Sequence, residues 1–298
     1  MKAIDLPATA PIEHSRAADF LALTKPRLNF LVVLTAAVGY YLGAGRGLNL
    51  TDLIEAIAGT ALVAGGAAGL NQVSERDTDG LMWRTRRRPL AAQRLTTVEA
   101  TIFSLVLAGT GIAILAMAAN LLAAFLALLT LFSYNVVYTP MKRHSKLATL
   151  VGALPGALPP LIGWAAARGT LAPEAWALFA IVFVWQIPHF MAIAWLYRED
   201  FGRAGFPMLP VTQPDGRSTA RQAIIFSLIL IPASIVPFEL QMAGAIYAIG
   251  ALAGSLALLG LSLSFAASRS NQRARRLFVG SITYLPLLWI LLIIDRLK

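Results

Sequence analysis

Long apolar stretches alternate with shorter polar ones along the whole chain. Nine stretches, at about 27–45, 53–74, 98–119, 120–140, 147–167, 173–196, 219–238, 242–266 and 275–294, approach or exceed the length needed to cross a bilayer. A helix needs roughly 20 apolar residues for that crossing. Their Leu, Ala, Ile and Gly content favours helices, because a spanning barrel shows short alternating segments. The third and fourth stretches nearly fuse and divide mainly at Asn120. The pattern predicts an all-α fold, a polytopic membrane protein with nine transmembrane helices in one bundle.

Composition supports that picture. Hydrophobic residues make up 57% of the chain and charged residues 13%. Soluble domains carry about a quarter charged residues, so neither a soluble enzyme nor a disordered chain fits. The chain has no cysteine, which excludes disulfides, thiolate metal sites and a cysteine nucleophile. The net charge is +10, but the basic residues lie between apolar runs. They match anionic lipid headgroups and anionic substrates better than nucleic acid.

With residues 1–26 in the cytoplasm, 21 of the 25 Lys and Arg residues fall on the cytoplasmic side. Arg46, Arg168, Arg296 and Lys298 fall on the other. One helix more or fewer would destroy this positive-inside asymmetry. Residues 1–24 form a polar N-terminal segment without the apolar core of a secretory signal. The rest reads as part of one domain covering 1–298. Two long cytoplasmic loops are expected at 75–97 and 197–218. They are candidates for corresponding parts of a weak internal duplication.

The strongest chemical feature is Asn71, Glu75 and Asp79, spaced i, i+4 and i+8. On a helix these positions advance by about 40° each and line one stripe roughly 12 Å long. Such oxygen donors suit Mg²⁺ bridging carboxylates to phosphates. Asp77 falls on another face. The ordinary reading of one acid here is a solvated helix end. A triplet followed by Arg84, Arg86, Arg87 and Arg88 points instead to metal plus diphosphate.

A second feature is Trp185-Gln-Ile-Pro-His189-Phe, with His189 inside the sixth apolar stretch. Intramembrane ionisable groups are functional candidates, although a hydrogen-bonded neutral imidazole is the plain alternative. Tyr197, Glu199 and Asp200 follow in the second loop, and the two acids are equally compatible with a solvated loop. Lys142 and Arg143 can reach a diphosphate from the end of the fourth stretch or act as positive-inside anchors. Lys25-Pro26-Arg27 has the same two readings and reads more readily as an anchor. Gly65-xxx-Gly69 permits close helix packing. No P-loop, zinc helix or serine-hydrolase elbow is present.

Asn71-xxx-Glu75-xxx-Asp79 resembles the Asn-xxx-Asp-xxx-Asp motif of the intramembrane aromatic-prenyltransferase superfamily. A narrower resemblance, to its haem-farnesylating branch, rests on Glu75-Arg-Asp-Thr-Asp79, Met82, Arg84-Thr85, Arg88-Pro-Leu90, Tyr138-Thr139, Lys142-Arg143, Trp185-Gln186, Pro188-His-Phe190, Asp200 and Ala204-Gly-Phe-Pro-Met208. The resemblance implies a bundle with its active-site cavity facing the cytoplasm of a bacterial inner membrane. It implies transfer of farnesyl from farnesyl diphosphate to a vinyl group of haem b, with addition of water, giving haem O for terminal oxidases.

By the same resemblance, Asn71, Glu75 and Asp79 hold Mg²⁺, and Arg84, Arg88, Lys142 and Arg143 neutralise the diphosphate. Haem b is a substrate, and His189 contacts its iron or a propionate. Haem A synthase or terminal oxidase assembly is the implied partner. Relatives acting on aromatic rings carry a second Asp-xxx-Asp motif, but its positions here read Leu196 and Asp200. Asp200 is therefore a metal candidate without its companion, and Tyr197 and Glu199 are candidate substitutes.

Two other functions compete. A prenyltransferase acting on a quinone-precursor ring would fit the first motif, but not the missing second-motif acid. A transporter would place its ionisable groups near the midplane on broken helices. Here they gather at one membrane face.

Overall fold

The computed structural model describes residues 15–45 and 47–297. Lys2, Arg46 and Lys298 of the charge asymmetry, and residues 1–14 of the N-terminal segment, lie outside them. Among the described residues all regular elements are helical, beside one isolated bridge between Ala243 and Arg296. A short helix α1 (Arg16–Leu23) precedes α2 (Pro26–Ala44) and α3 (Leu50–Leu81). Then come α4 (Thr97–Ala119), α5 (Leu121–Met141), α6 (Ala148–Arg168) and α7 (Pro173–Leu196). Two short helices, α8 (Arg198–Arg203) and α9 (Leu209–Thr212), lead to α10 (Arg217–Glu239), α11 (Ala245–Ser268) and α12 (Asn271–Ile294). Among the described residues, nine helices are long and apolar enough to span a bilayer, in the places hydropathy predicts.

Helix ends follow local chemistry. Asn120 separates α4 from α5 because its extended backbone ends one helix while its side chain accepts from the Ala123 N–H to cap the next. Thr96 and Glu99 form a reciprocal capping box at the start of α4. Pro155, Pro159 and Pro160 interrupt α6 near Leu158, because proline has no N–H to donate.

Small residues set the closest helix approaches. A methyl on Gly163 would overlap the Ala36 carbonyl, which brings α6 onto α2. Gly66 and Gly69 meet Ser104 and Ala108 of α4 in the same way, whereas Gly65 faces Thr24. Helix α7 supplies a large share of the core, with Trp185, Ile187, Met191 and Trp195 buried. The outer surface is apolar, with Met117 at 87% exposure and Leu121 at 77%. That distribution suits a lipid surround.

Three local departures from the expected elements matter for the site. Helix α3 runs past Ser74 to Leu81, so the start of the predicted 75–97 loop is helical. The polar residues there have buried partners, which hydropathy alone does not register. The second predicted loop contains α8 and α9. Within the predicted N-terminal polar segment, Ser15 caps α1 by accepting from the Ala18 N–H, and Leu23 buries its last turn.

Candidate active site

The extension of α3 carries all three members of the polar stripe. Asn71, Glu75 and Asp79 are 2%, 4% and 1% exposed. Isolated carboxylates are not stable at such burial unless paired, and each stripe member faces a cation. Lys25 Nζ donates to Asn71 Oδ1 at 2.9 Å. Lys142 pairs with Glu75. Arg88 Nη1 donates to both Asp79 oxygens, at 2.9 and 2.8 Å. The stripe is tied within itself as well, since Asn71 Nδ2 donates to Glu75 Oε1 at 2.7 Å and to Thr139 Oγ1 at 3.2 Å.

Separate elements deliver these partners. Lys25 precedes Pro26 and sits in the left-handed region at φ 47, a conformation uncommon for a residue with a Cβ. The preceding turn is pinned by Gln72 Nε2 donating to the Leu23 carbonyl at 2.8 Å. A wide helical turn, Ser133–Tyr138, lies near the end of α5. Such turns gather at functional sites. Here Thr139 Oγ1 donates to the Tyr134 carbonyl across it at 2.8 Å, which aims Thr139 at Asn71. Lys142 lies beyond the turn, 5.5 Å from the Tyr138 ring centroid and 5.4 Å from that of Phe206.

The 82–96 loop folds back over this cluster. Thr85 Oγ1 donates to the Asp79 carbonyl at 2.9 Å. Asp200 accepts from the backbone N–H groups of Trp83 and Arg84 at 3.3 and 3.4 Å and pairs with Arg203. Buried Met82, Phe206 and Met208 pack together, joining this loop to the segment after α8. Arg94 donates to Asp19 of α1 at 2.9 Å.

Charge crowding is pronounced. Burial pushes Lys25 down to about 7; nearby Arg88 and Arg84 add to the effect, and Asp79 opposes it. Burial, then Lys25 and Arg143, lowers Lys142, while its Glu75 partner favours the charged form. Arg84 is lowered by burial and by Arg88, with Tyr197, Asp200 and Asp79 opposing. Like charges held this close favour the arrival of an anion.

The structure therefore gathers Asn71, Glu75, Asp79, Arg88 and Lys142, with Arg84 and Asp200 alongside. Arg84 lies over the Tyr197 ring at 4.6 Å. Arg143 is exposed and donates to the Ser74 carbonyl, and Glu199 is exposed, so neither joins the paired cluster. His189 stands apart, stacked with Trp185 and with Phe278 at the α7–α12 contact. Thr139 and Arg203 belong to the polar assembly without having been singled out from the sequence for these roles, and Lys25, which read more readily as an anchor than as a diphosphate contact, joins them. The sequence signals were the basic Lys25-Pro26-Arg27 segment and the Tyr138-Thr139-Pro140 run.

Among the described residues no group of three His, Cys, Asp or Glu side chains could hold a metal. The first motif offers an amide oxygen with two carboxylates instead. These three buried donors fit a hard cation, because positively charged side chains already approach each of them. Asp200 is committed differently, to two amides and an arginine.

The profile described as the UbiA prenyltransferase family matches residues 32–290. Protoheme IX farnesyltransferase of Solibacter usitatus is 46% identical, over 93% of this chain and 98% of its own. That of Koribacter versatilis is 44% identical, over 93% of each. A solved digeranylgeranylglyceryl phosphate synthase superposes with a TM-score of 0.79 at 14% identity, covering 94% of this chain and 98% of its own. A UbiA homolog from Archaeoglobus fulgidus bound to DMAPP and Mg²⁺ gives 0.65 at 16%, covering 93% and 99%.

Proposed function

Because the chain belongs to the UbiA prenyltransferase family, we propose that the buried stripe of α3 and its facing cations form its prenyl-diphosphate site. The chain is an integral membrane prenyltransferase that moves farnesyl from farnesyl diphosphate to a vinyl group of haem b, giving haem O. Full-length similarity to protoheme IX farnesyltransferases supports haem over a quinone-precursor ring as acceptor. The observation that carries the site is the burial of Asn71, Glu75 and Asp79 against Lys25, Lys142 and Arg88.

Asn71, Glu75 and Asp79 are the residues that would hold Mg²⁺. When bound, Mg²⁺ supplies positive charge to the diphosphate oxygens and makes diphosphate a better leaving group. Lys25, Arg84, Arg88 and Lys142 supply further fixed charge where the leaving group becomes more negative, which lowers the barrier most. The C1–O bond breaks, and its electron pair leaves with diphosphate. The allylic farnesyl cation is attacked by the vinyl π pair, forming a C–C bond. Water then adds to the cation on the other vinyl carbon and loses a proton, leaving the hydroxyl of haem O.

Premature water would hydrolyse the first cation. The packed Met82, Phe206 and Met208 over the cluster, with the surrounding apolar helices, exclude it. Asp200 fastens the Trp83–Arg84 backbone over the site. We place this face toward the cytoplasm of a bacterial inner membrane, from the basic side of the charge asymmetry, and assign 1–298 to one prenyltransferase domain. Haem O would pass to terminal oxidase assembly directly or through haem A synthase.

The test is purified protein in proteoliposomes with Mg²⁺, farnesyl diphosphate and haem b. The expected product is haem heavier by farnesyl plus water in mass spectrometry. Absence of that product, with prenylation of a quinone-precursor ring offered in competition, would refute the acceptor assignment.

A further inference from the structure

His189 is one of two described histidines, and it lies away from the diphosphate cluster. Its ring is held by three contacts. Trp185 stacks on it with centroids 5.3 Å apart, and Phe278 stacks on it at 5.1 Å. Its Nδ1 edge meets Ser281 Oγ at 2.9 Å. Ser281 is itself committed, because its hydroxyl donates to the Phe278 carbonyl at 2.7 Å. A serine hydroxyl has one proton. With that proton on Phe278, the Nδ1–H of His189 donates to Ser281. The neutral imidazole then carries its lone pair on Nε2.

The same residue also holds the wall of the cradle, since Trp185 Nε1 donates to the Ser281 carbonyl at 2.8 Å. Nε2 has no hydrogen-bond partner among the described residues, and His189 as a residue is half-buried. A propionate would need an N–H donor at that edge, which this tautomer does not provide. A metal needs a lone pair, and this tautomer presents one.

We infer that haem b docks with its iron on His189 Nε2, and that Ser281 is the positioning residue that fixes the imidazole in the ligating tautomer. The inference rests on haem being the prenyl acceptor and deepens it, by choosing iron over propionate as the group His189 contacts. Metal-bound imidazoles commonly donate their other N–H to an acceptor that sets ring orientation and basicity. Ser281 supplies that acceptor from α12, across the packing contact with α7.

The full chain in lipid nanodiscs is titrated with haem b, and the ferric and ferrous complexes are examined by absorption, electron paramagnetic resonance and resonance Raman spectroscopy. Wild type is expected to show an imidazole-ligated haem. His189→Ala should lose that signature, and His189→Gly should regain it with added imidazole. Ser281→Ala should keep the ligand but lower the iron–nitrogen stretching frequency and weaken haem binding about tenfold, the usual size for loss of such a partner. Ser281→Thr, which keeps a hydroxyl, should restore both.

An unchanged imidazole spectrum in His189→Ala overturns the ligand assignment. Ser281→Ala matching wild type in frequency and affinity overturns the positioning role. Haem O production by a wild type lacking an imidazole signature overturns the inference alone and leaves the acceptor in place. Prenylation of a quinone-precursor ring with no haem product overturns both.

Discussion

Lys25 and Asn71, 46 positions apart in sequence, are joined by a 2.9 Å hydrogen bond from Nζ to Oδ1. The bond links the turn before α2 to the stripe on α3, and it is reached from a left-handed backbone. Lys25→Met should therefore reduce kcat/KM for farnesyl diphosphate by about 10²-fold, the loss typical of one preorganised charge donor. Lys25→Arg should recover part of it. Steady-state rates with labelled farnesyl diphosphate in proteoliposomes measure both, and a Met variant with wild-type kinetics would remove Lys25 from the site.

Removing divalent metal with a chelator should abolish turnover, and Mg²⁺ should restore it. Asp79→Ala or Asn71→Ala should stay inactive at saturating Mg²⁺ while still inserting into membranes. A loss of roughly 10²–10³-fold is expected where one electrostatic stabiliser of a leaving group is lost. Full turnover by either variant would contradict the assigned donor set.

Asp200 gives a different signature. Its oxygens engage the amides of Trp83 and Arg84 and the side chain of Arg203. Asp200→Ala should therefore speed amide hydrogen exchange across 82–90 and raise KM for farnesyl diphosphate. The Mg²⁺ concentration giving half-maximal activity should stay unchanged. A large rise in that concentration would instead make Asp200 a metal ligand.

Helix contacts offer a stability test. Gly163→Ala would press a methyl into the Ala36 carbonyl, whereas nothing lies within 4 Å of a methyl at Gly109. Overpacking of this kind costs about 1–3 kcal/mol. Thermal unfolding in detergent should show a lower midpoint for Gly163→Ala and little change for Gly109→Ala.

The spans were legible because lipid demands unbroken apolar length, and Asn120 was legible as a divider because its side chain caps the following helix. The stripe was legible because its spacing is that of one helix face. Its extension to Leu81 was hidden, because acids at a membrane edge look solvated until their partners are known. Arg88 read as a diphosphate ligand, and its grip on Asp79, a pairing of two neighbouring sequence blocks that the loop fold decides, gave no sign in the sequence. Lys25 read more readily as an anchor than as a diphosphate contact because nothing in a linear pattern shows that one left-handed residue aims its side chain inward. Ser281 gave no signal at all, being one hydroxyl in an apolar helix whose importance comes from the ring opposite.

At the proposed site, the ion pairs of the α3 stripe would also act as a filter. Each carboxylate already has a cation and each of those cations has an acceptor, so a lone magnesium ion meets occupied oxygens and a lone polyanion meets engaged ammonium and guanidinium groups. Only a visitor bringing both signs of charge can exchange partners with every member at once. If the stripe is the prenyl-diphosphate site proposed above, such an enzyme should pass over free phosphates and nucleotides and exchange its ion pairs only for a metal-bound isoprenoid.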